Sequence, residues 1–110
     1  MHYLILGFDG TDEEALARRL AVRQQHIALA DKMIDKGKKI YGAGILNEKG
    51  EMCGSIIVGN FETREDLDEY LSQEPYKNSN VWKTLDVYEL QPGPRYMGAQ
   101  YRPRPAPVEK

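Results

Sequence analysis

Apolar residues recur with two different periods along the chain. Almost every position from His2 to Phe8 is apolar, which indicates a strand covered on both faces. The following segment repeats its apolar residues every three or four positions, as an amphipathic helix does. We therefore predict a buried strand followed by a long helix. The apolar stripe of that helix consists of Leu16, Leu20, Ile27, Ala30 and Ile34.

Turn and capping residues set the limits of this helix. Asp9-Gly10 predicts a turn, and Thr11 with Glu14 fits a capping box, in which each side chain bonds to a free backbone N–H group. Gly37 predicts the C-terminal end, because glycine readily adopts the left-handed conformation found there. The helix is long, so a break inside it is an open alternative.

Three more strands and a second helix follow. Gly42 and Gly44 lie inside the second strand and predict a bulge or the close approach of another group. Thr63 with Asp66 resembles a second capping box, so a short helix begins after Thr63. A turn at residues 47–50 joins two strands as a hairpin. The predicted strands are residues 39–46, 52–61 and 81–90.

The order β-α-β-β-α-β predicts an α+β, ferredoxin-like fold. Its four-stranded antiparallel sheet carries both helices on one face. The first strand is apolar on both sides, so we expect the second face of the sheet to be covered as well. A second copy of the chain, packed sheet to sheet around a two-fold axis, is the simplest cover. The alternative cover is the proline-rich C-terminal segment folding back.

Composition limits the possible partners. The 110 residues suffice for one domain, and a net charge of −2 gives no reason to expect nucleic acid or an anionic membrane as a partner. Without a basic domain, Trp82 and the seven tyrosines are better interpreted as core, interface and pocket residues than as base-stacking groups. Cys53 is the single cysteine, no signal-peptide pattern opens the chain and no apolar run could span a membrane, which favours the cytoplasm.

Charge and proline content divide the chain near Gln91. Residues 1–91 hold 11 Lys/Arg against 16 Asp/Glu, whereas residues 92–110 hold four Lys/Arg against one Glu. Five of the six prolines lie in that second segment. We therefore predict a compact domain over 1–91 and a Pro/Arg-rich arm over 92–110. The arm could be a peptide ligand for another protein or a loose terminus, but we favour packing on its own subunit or on the dimer partner.

Arg23 and His26 are the candidate chemical groups of the first helix. They are three residues apart, so both side chains lie on one helix face beside the apolar stripe. A histidine in such a place can act as a general acid or base. The alternative is a partly buried structural histidine. No histidine stands at metal-ligand spacing, so we expect no metal site. The sequence also contains no phosphate-binding loop.

Several short motifs, in this order and spacing, resemble the YCII-related family of small bacterial proteins. The resemblance covers roughly residues 1–91 and leaves the arm out. The family is known for dimeric α/β-barrels built from ferredoxin-like subunits, so the resemblance implies a homodimer or a higher homo-oligomer. The motifs are the R-x-x-H pair Arg23 and His26, then Gly44, Gly54-Ser55 and Glu74-Pro75-Tyr76.

The resemblance also implies a pocket with a catalytic pair. In the family, the helix histidine is paired with the acid of an Asp-Pro-Tyr motif, and one member is a dehydrochlorinase acting on a chlorinated hydroxyquinol. Carried over by position, the catalytic residues are His26 and Glu74, and the substrate-binding residues are Arg23, Tyr76 and Ser55.

Glu74 departs from the family pattern, which has Asp at this place. Glutamate is one methylene longer, so its carboxylate reaches His26 only with a different backbone or rotamer. The alternative is purely structural, because an acid followed by proline is a common helix start. In that case Glu74 caps a turn over residues 75–80.

These features predict a small enzyme that uses a His–Glu acid/base pair without a cofactor. The expected reaction is elimination or hydrolysis of a small substrate, with cyclic and phenolic compounds as candidates. The first alternative is a non-catalytic module of the same fold that binds a small ligand or supports assembly. The second is an interaction protein that acts through its Pro/Arg-rich arm.

Overall fold

The computed structural model describes residues 1–95 and confirms the predicted ferredoxin-like topology. The strands form one antiparallel sheet in the order β2-β3-β1-β4. The predicted bounds of β2 agree with the structure, and the other strands differ by one residue at one end. The described elements are β1 (His2–Asp9), α1 (Ala15–Ala21), α2 (Arg23–Asp35), β2 (Lys39–Leu46), β3 (Met52–Asn60), α3 (Arg64–Gln73), α4 (Pro75–Asn78) and β4 (Trp82–Leu90).

The core lies between the helices and one face of the sheet. In the centre of the sheet, Ile5 of β1 stands opposite Ile57 of β3 and Val87 of β4. Because successive side chains of a strand point to opposite faces, every second residue of β1 faces the helices and is buried. The last residue of this buried row is Asp9. The core cluster comprises Tyr3, Ile5, Met33, Ile57, Phe61, Leu67, Tyr70, Leu71, Tyr76, Val81 and Trp82.

The predicted first helix is broken at Val22, which separates α1 from α2. The backbone of Val22 leaves the helical region, with φ −117° and ψ 12°, and its N–H bonds to the carbonyl of Arg19. The predicted apolar stripe is therefore partly wrong. Leu20 and Ile34 are 51% and 53% exposed, whereas Arg19 is buried in the row that apolar residues were expected to occupy.

The two predicted capping boxes have different outcomes. Thr63 caps α3, since its hydroxyl accepts the N–H of Asp66 at 3.1 Å. The prediction for Thr11 is wrong, because α1 begins later and Glu14 makes no side-chain cap. The carboxylate of Asp12 is bound instead by Arg18 at 2.7 Å, which ties the turn before α1 to the helix that follows it.

Gly37 ends α2 as predicted. Its φ of +73° is the left-handed conformation that glycine adopts without steric cost. The Gly37 N–H bonds to the carbonyl of Ile34 and the Lys38 N–H bonds to that of Met33, which is the Schellman pattern. This tight end places the start of β2 directly beside the end of α2.

The face of the sheet opposite the helices carries many apolar residues and is partly exposed. Phe8, Tyr41 and Tyr88 lie on it and are 41%, 58% and 52% exposed. The C-terminal arm, predicted over 92–110 as the alternative cover, lies outside the described part of the chain from residue 96 onward. Within residues 1–95, no helix combines the length and apolar character needed to cross a membrane.

Candidate active site

His26 and Glu74 are in direct contact. His26 lies in the first turn of α2, and Glu74 joins α3 to α4. Their Nδ1 and Oε1 atoms are 2.7 Å apart, and the Glu74 side chain is fully buried. The longer glutamate side chain therefore reaches the histidine in this chain.

Two further hydrogen bonds hold the Glu74 carboxylate. The hydroxyl of Tyr70 donates to Oε2 at 2.8 Å, and the backbone N–H of Tyr76 donates to Oε1 at 3.1 Å. The second bond caps α4, so Glu74 both starts this helix and binds His26. Burial raises the pKa of Glu74, but the bonds from His26, Tyr76 and Tyr70 outweigh it, and the pKa lies below its usual value.

The ionised Glu74 determines how the His26 ring is used. A carboxylate only accepts hydrogen bonds, so the neutral ring carries its proton on Nδ1 and leaves Nε2 with a lone pair. No residue within 1–95 bonds to Nε2, and the ring lines a cavity. The Tyr76 ring stacks on the imidazole with 4.0 Å between centroids and 14° between planes. His26 is thus oriented from two sides with one ring nitrogen left for chemistry.

Stability in acid should depend on Glu74. Its pKa is lower in the folded than in the unfolded chain, so the contribution is complete above the unfolded value of about 4.3 and is lost as the pH falls through the folded value. We expect the free energy of unfolding to fall below about pH 4.3 and to fall less in Glu74→Gln. Urea unfolding over this range measures the difference. Glu69→Gln, an exposed glutamate of α3, is the control, and identical acid dependence in all three proteins would contradict the assignment.

A buried ion pair between Arg19 and Asp9 lies beside the dyad. The guanidinium donates from Nε and Nη2 to the two carboxylate oxygens, at 2.7 and 3.1 Å, and both side chains are 2% exposed. Arg19 also donates to the Ser55 hydroxyl at 2.6 Å and lies 4.4 Å from the centre of the Tyr76 ring. The indole of Trp82 donates to the same hydroxyl at 3.3 Å. This network holds the Arg19 guanidinium in place against the Tyr76 ring, and the Tyr76 ring in turn stacks on His26.

The cavity beside His26 has a volume of about 200 Å³. On its sheet side the cavity is lined by Gly42 and Gly44 of β2, across which the side chains of Lys39 and Met52 lie. Glu74 lies behind His26, and the other four predicted site residues line the cavity. The polar lining residues are Arg19, Arg23, His26, Lys39, Ser55 and Tyr76.

Positive charge predominates around this cavity. Arg19 is neutralised by Asp9, but within residues 1–95 no carboxylate lies within 4.0 Å of Arg23 or Lys39. The described residues contain no group of three His, Cys, Asp or Glu side chains that could hold a metal ion. The cavity therefore suits a small ligand with negative charge.

Sequence reasoning missed four residues of this site, namely Asp9, Arg19, Lys39 and Tyr70. A signal existed for Asp9, because the alternation along β1 that buries Tyr3 and Ile5 continues to it. A signal for Lys39 was the pair Gly42 and Gly44, which predicted the close approach of another group to β2. Arg19 gave none, since it is recognisable only through Asp9 on another element. Tyr70 gave one, because it stands four residues before Glu74, the spacing of neighbouring side chains on one helix face.

Comparison with known proteins agrees with these observations. The family model of the YCII-related domain matches residues 1–91. A similar solved structure is 5-chloro-2-hydroxyhydroquinone dehydrochlorinase (TftG) from Burkholderia phenoliruptrix AC1100, in complex with 2,5-dihydroxybenzoquinone. It has a TM-score of 0.73 and 19% identity over 84% of this chain and 96% of that chain.

A second similar structure is protein Atu4242 from Agrobacterium tumefaciens. Its TM-score is 0.50, with 15% identity over 84% of this chain and 94% of that chain. At such identities the likeness concerns the fold. No curated protein matches the chain. The family assignment rests on the family model, which covers most of the sequence: the chain belongs to the YCII-related family.

Proposed function

We propose that this protein is an enzyme for small molecules in which His26 is the general acid and base and Glu74 orients it. The observation that carries the proposal is the 2.7 Å contact between His26 Nδ1 and Glu74, in a ring that lines the cavity and whose Nε2 has no partner within residues 1–95. A base held in one tautomer by a carboxylate is ready to accept a proton at its other nitrogen.

Elimination or hydrolysis fits this arrangement. In an elimination, Nε2 removes a proton from the substrate, the electron pair forms a new double bond and the leaving group departs with its own bonding electrons. In a hydrolysis, Nε2 removes a proton from the attacking water and returns it to the leaving group. Neither route needs a cofactor.

Arg23, Tyr76 and Ser55 are the proposed substrate-binding residues. Arg23 would bind an anionic or phenolate oxygen, and Tyr76 would line the pocket beside the imidazole. The Ser55 hydroxyl accepts hydrogen bonds from Arg19 and Trp82, so its own proton is left to donate to a ligand.

Single-ring compounds are the proposed substrate class. The cavity of about 200 Å³ is smaller than the roughly 300–1,000 Å³ typical of pockets for drug-sized ligands. The similar enzyme from Burkholderia acts, by its name, on a chlorinated hydroxyhydroquinone. Chlorinated hydroxyquinols therefore come first in a substrate screen, followed by lactones.

The screen measures chloride release or ring opening by the purified full chain. We expect turnover of at least one compound without added cofactor. Binding in the cavity without any turnover would contradict the proposal and favour the non-catalytic ligand-binding module instead.

We further propose that the protein is a homodimer formed through the exposed sheet face. An apolar face of this kind is typical of an interface, and a two-fold axis would bury the same patch on both copies. Sedimentation should give the mass of two chains, and Tyr41→Lys combined with Tyr88→Lys should give the mass of one. Ile34→Lys is the matched control, since Ile34 is similarly exposed but lies on a helix. A monomeric wild-type protein would contradict the proposal.

A further inference from the structure

Lys39 lies in the cavity because of an irregularity at the start of β2. Lys39 pairs with Gly59 and Tyr41 pairs with Val58, so one extra residue of β2 stands between consecutive partners on β3. Such a bulge shifts the alternation of side chains by one position. Lys39 and Gly42 therefore share the helix-covered face although they are three residues apart.

The lysine side chain lies directly across Gly42. A Cβ atom at residue 42 would be 2.5 Å from Lys39 Cε and 2.7 Å from Nζ. Only glycine leaves room for this conformation. The predicted close approach at Gly42 is thus made by the lysine, and both residues line the cavity.

The Lys39 ammonium is half-buried and has no acceptor. Within residues 1–95, Nζ makes no hydrogen bond and no ion pair, and it is not among the fully buried polar atoms. Burial lowers the pKa of Lys39, while the more distant charges of Glu74 and Asp31 act in the opposite direction. A partly dehydrated cation without a partner is unfavourable, and an anionic ligand would remove that cost.

Lys39 and Arg23 both line the cavity but belong to different elements. Arg23 is the first residue of α2, and Lys39 begins β2 just after α2 has ended. The bond from the Lys38 N–H to the carbonyl of Met33 keeps the start of β2 beside the last turns of α2. His26 lies between these two positions along the helix.

We infer that Lys39 is a second anion-binding residue and that the ligand is a single-ring compound with acidic groups at opposite ends. Arg23 holds one acidic group and Lys39 the other, which places the ring beside Nε2 of His26. The inference deepens the proposed function and rests on it only in using the same cavity.

The test compares two probes, terephthalate and benzoate, by calorimetric titration of the full chain. Terephthalate carries carboxylates at both ends of its ring, and benzoate carries one. We expect terephthalate to bind about tenfold more tightly, because one charge-assisted contact is added. In Lys39→Met the two probes should bind equally, with benzoate affinity close to that of the wild type.

Two more variants sharpen the test. Gly42→Ala should abolish the preference too, since its methyl group displaces the lysine. Lys36→Met is the matched control, because it removes the same charge from the turn before β2 but outside the cavity, and it should keep the preference. Retained preference in Lys39→Met, equal loss in Lys36→Met, or no preference in the wild type would each overturn the inference.

The experiment separates this inference from the proposed function. The readout is a ratio of dissociation constants and does not require turnover. A protein that prefers terephthalate but turns over no compound in the screen supports Lys39 as an anion-binding residue while the proposed enzyme activity fails. An active protein without the preference gives the opposite result.

Discussion

Replacing Asp9 by alanine should destabilise the protein by about 3–5 kcal/mol, the usual result of leaving one member of a buried ion pair alone. Arg19 would keep its position under Tyr76, where it is 2% exposed, and would lose both carboxylate contacts. Water cannot replace them without opening the core. Urea unfolding followed by circular dichroism measures the loss.

Asp12→Ala is the matched control for this prediction. Asp12 lies three residues after Asp9, in the connection between β1 and α1, and also pairs with an arginine, Arg18, but that pair is exposed to solvent. Exposed ion pairs contribute little, so the unfolding free energy should hardly change. Equal losses in both variants would contradict the argument from burial. The double variant Asp9→Leu with Arg19→Met should recover much of the loss, because it leaves no unpaired charge in the core.

Replacing His26 by glutamine should reduce kcat about 10²- to 10⁴-fold, the usual contribution of a general acid or base. The glutamine amide can still donate a hydrogen bond to Glu74, so the buried carboxylate keeps a partner and the fold should persist. The assay uses whichever compound the substrate screen identifies, and thermal unfolding reports on the fold.

His2→Gln is the control for this variant. His2 is the other histidine of the chain and lies in β1, away from the cavity. Its replacement should leave kcat unchanged. Full activity in His26→Gln would remove His26 from the chemistry, whereas equal losses in the two variants would indicate a general effect on the protein.

The fold was predictable because its main signals are local. The bounds of β2 agree with the structure since the hairpin turn and the end of α2 are both marked by glycine, at Gly50 and Gly37. At Glu74, two sequence patterns correspond to contacts in the structure. An acid before proline indicated a helix start, and the family motif indicated a partner for His26, and both hold for the same carboxylate.

The burial of Arg19 and the position of Lys39 were not predictable, because they depend on contacts with residues of other elements. Hydrophobic periodicity placed Leu20 in the core, but the break at Val22 and the carboxylate of Asp9 make Arg19 the buried residue. Periodicity treats an arginine as a surface residue, because it carries no information about a partner on another element. Lys39 was missed for a related reason, since the bulge that turns it inward depends on its pairing with β3.

The two bonds made by Oε1 of Glu74 affect how sequences related to this one should be interpreted. A copy of the gene that had lost its chemistry would still gain from a side-chain acceptor at this position to cap α4, so selection for folding favours keeping such a residue even without catalysis. The presence of an acid at this position therefore does not distinguish active family members from inactive ones. His26 does not cap a helix. Replacement of this histidine in a related sequence would therefore be the earlier indication that the activity has been lost.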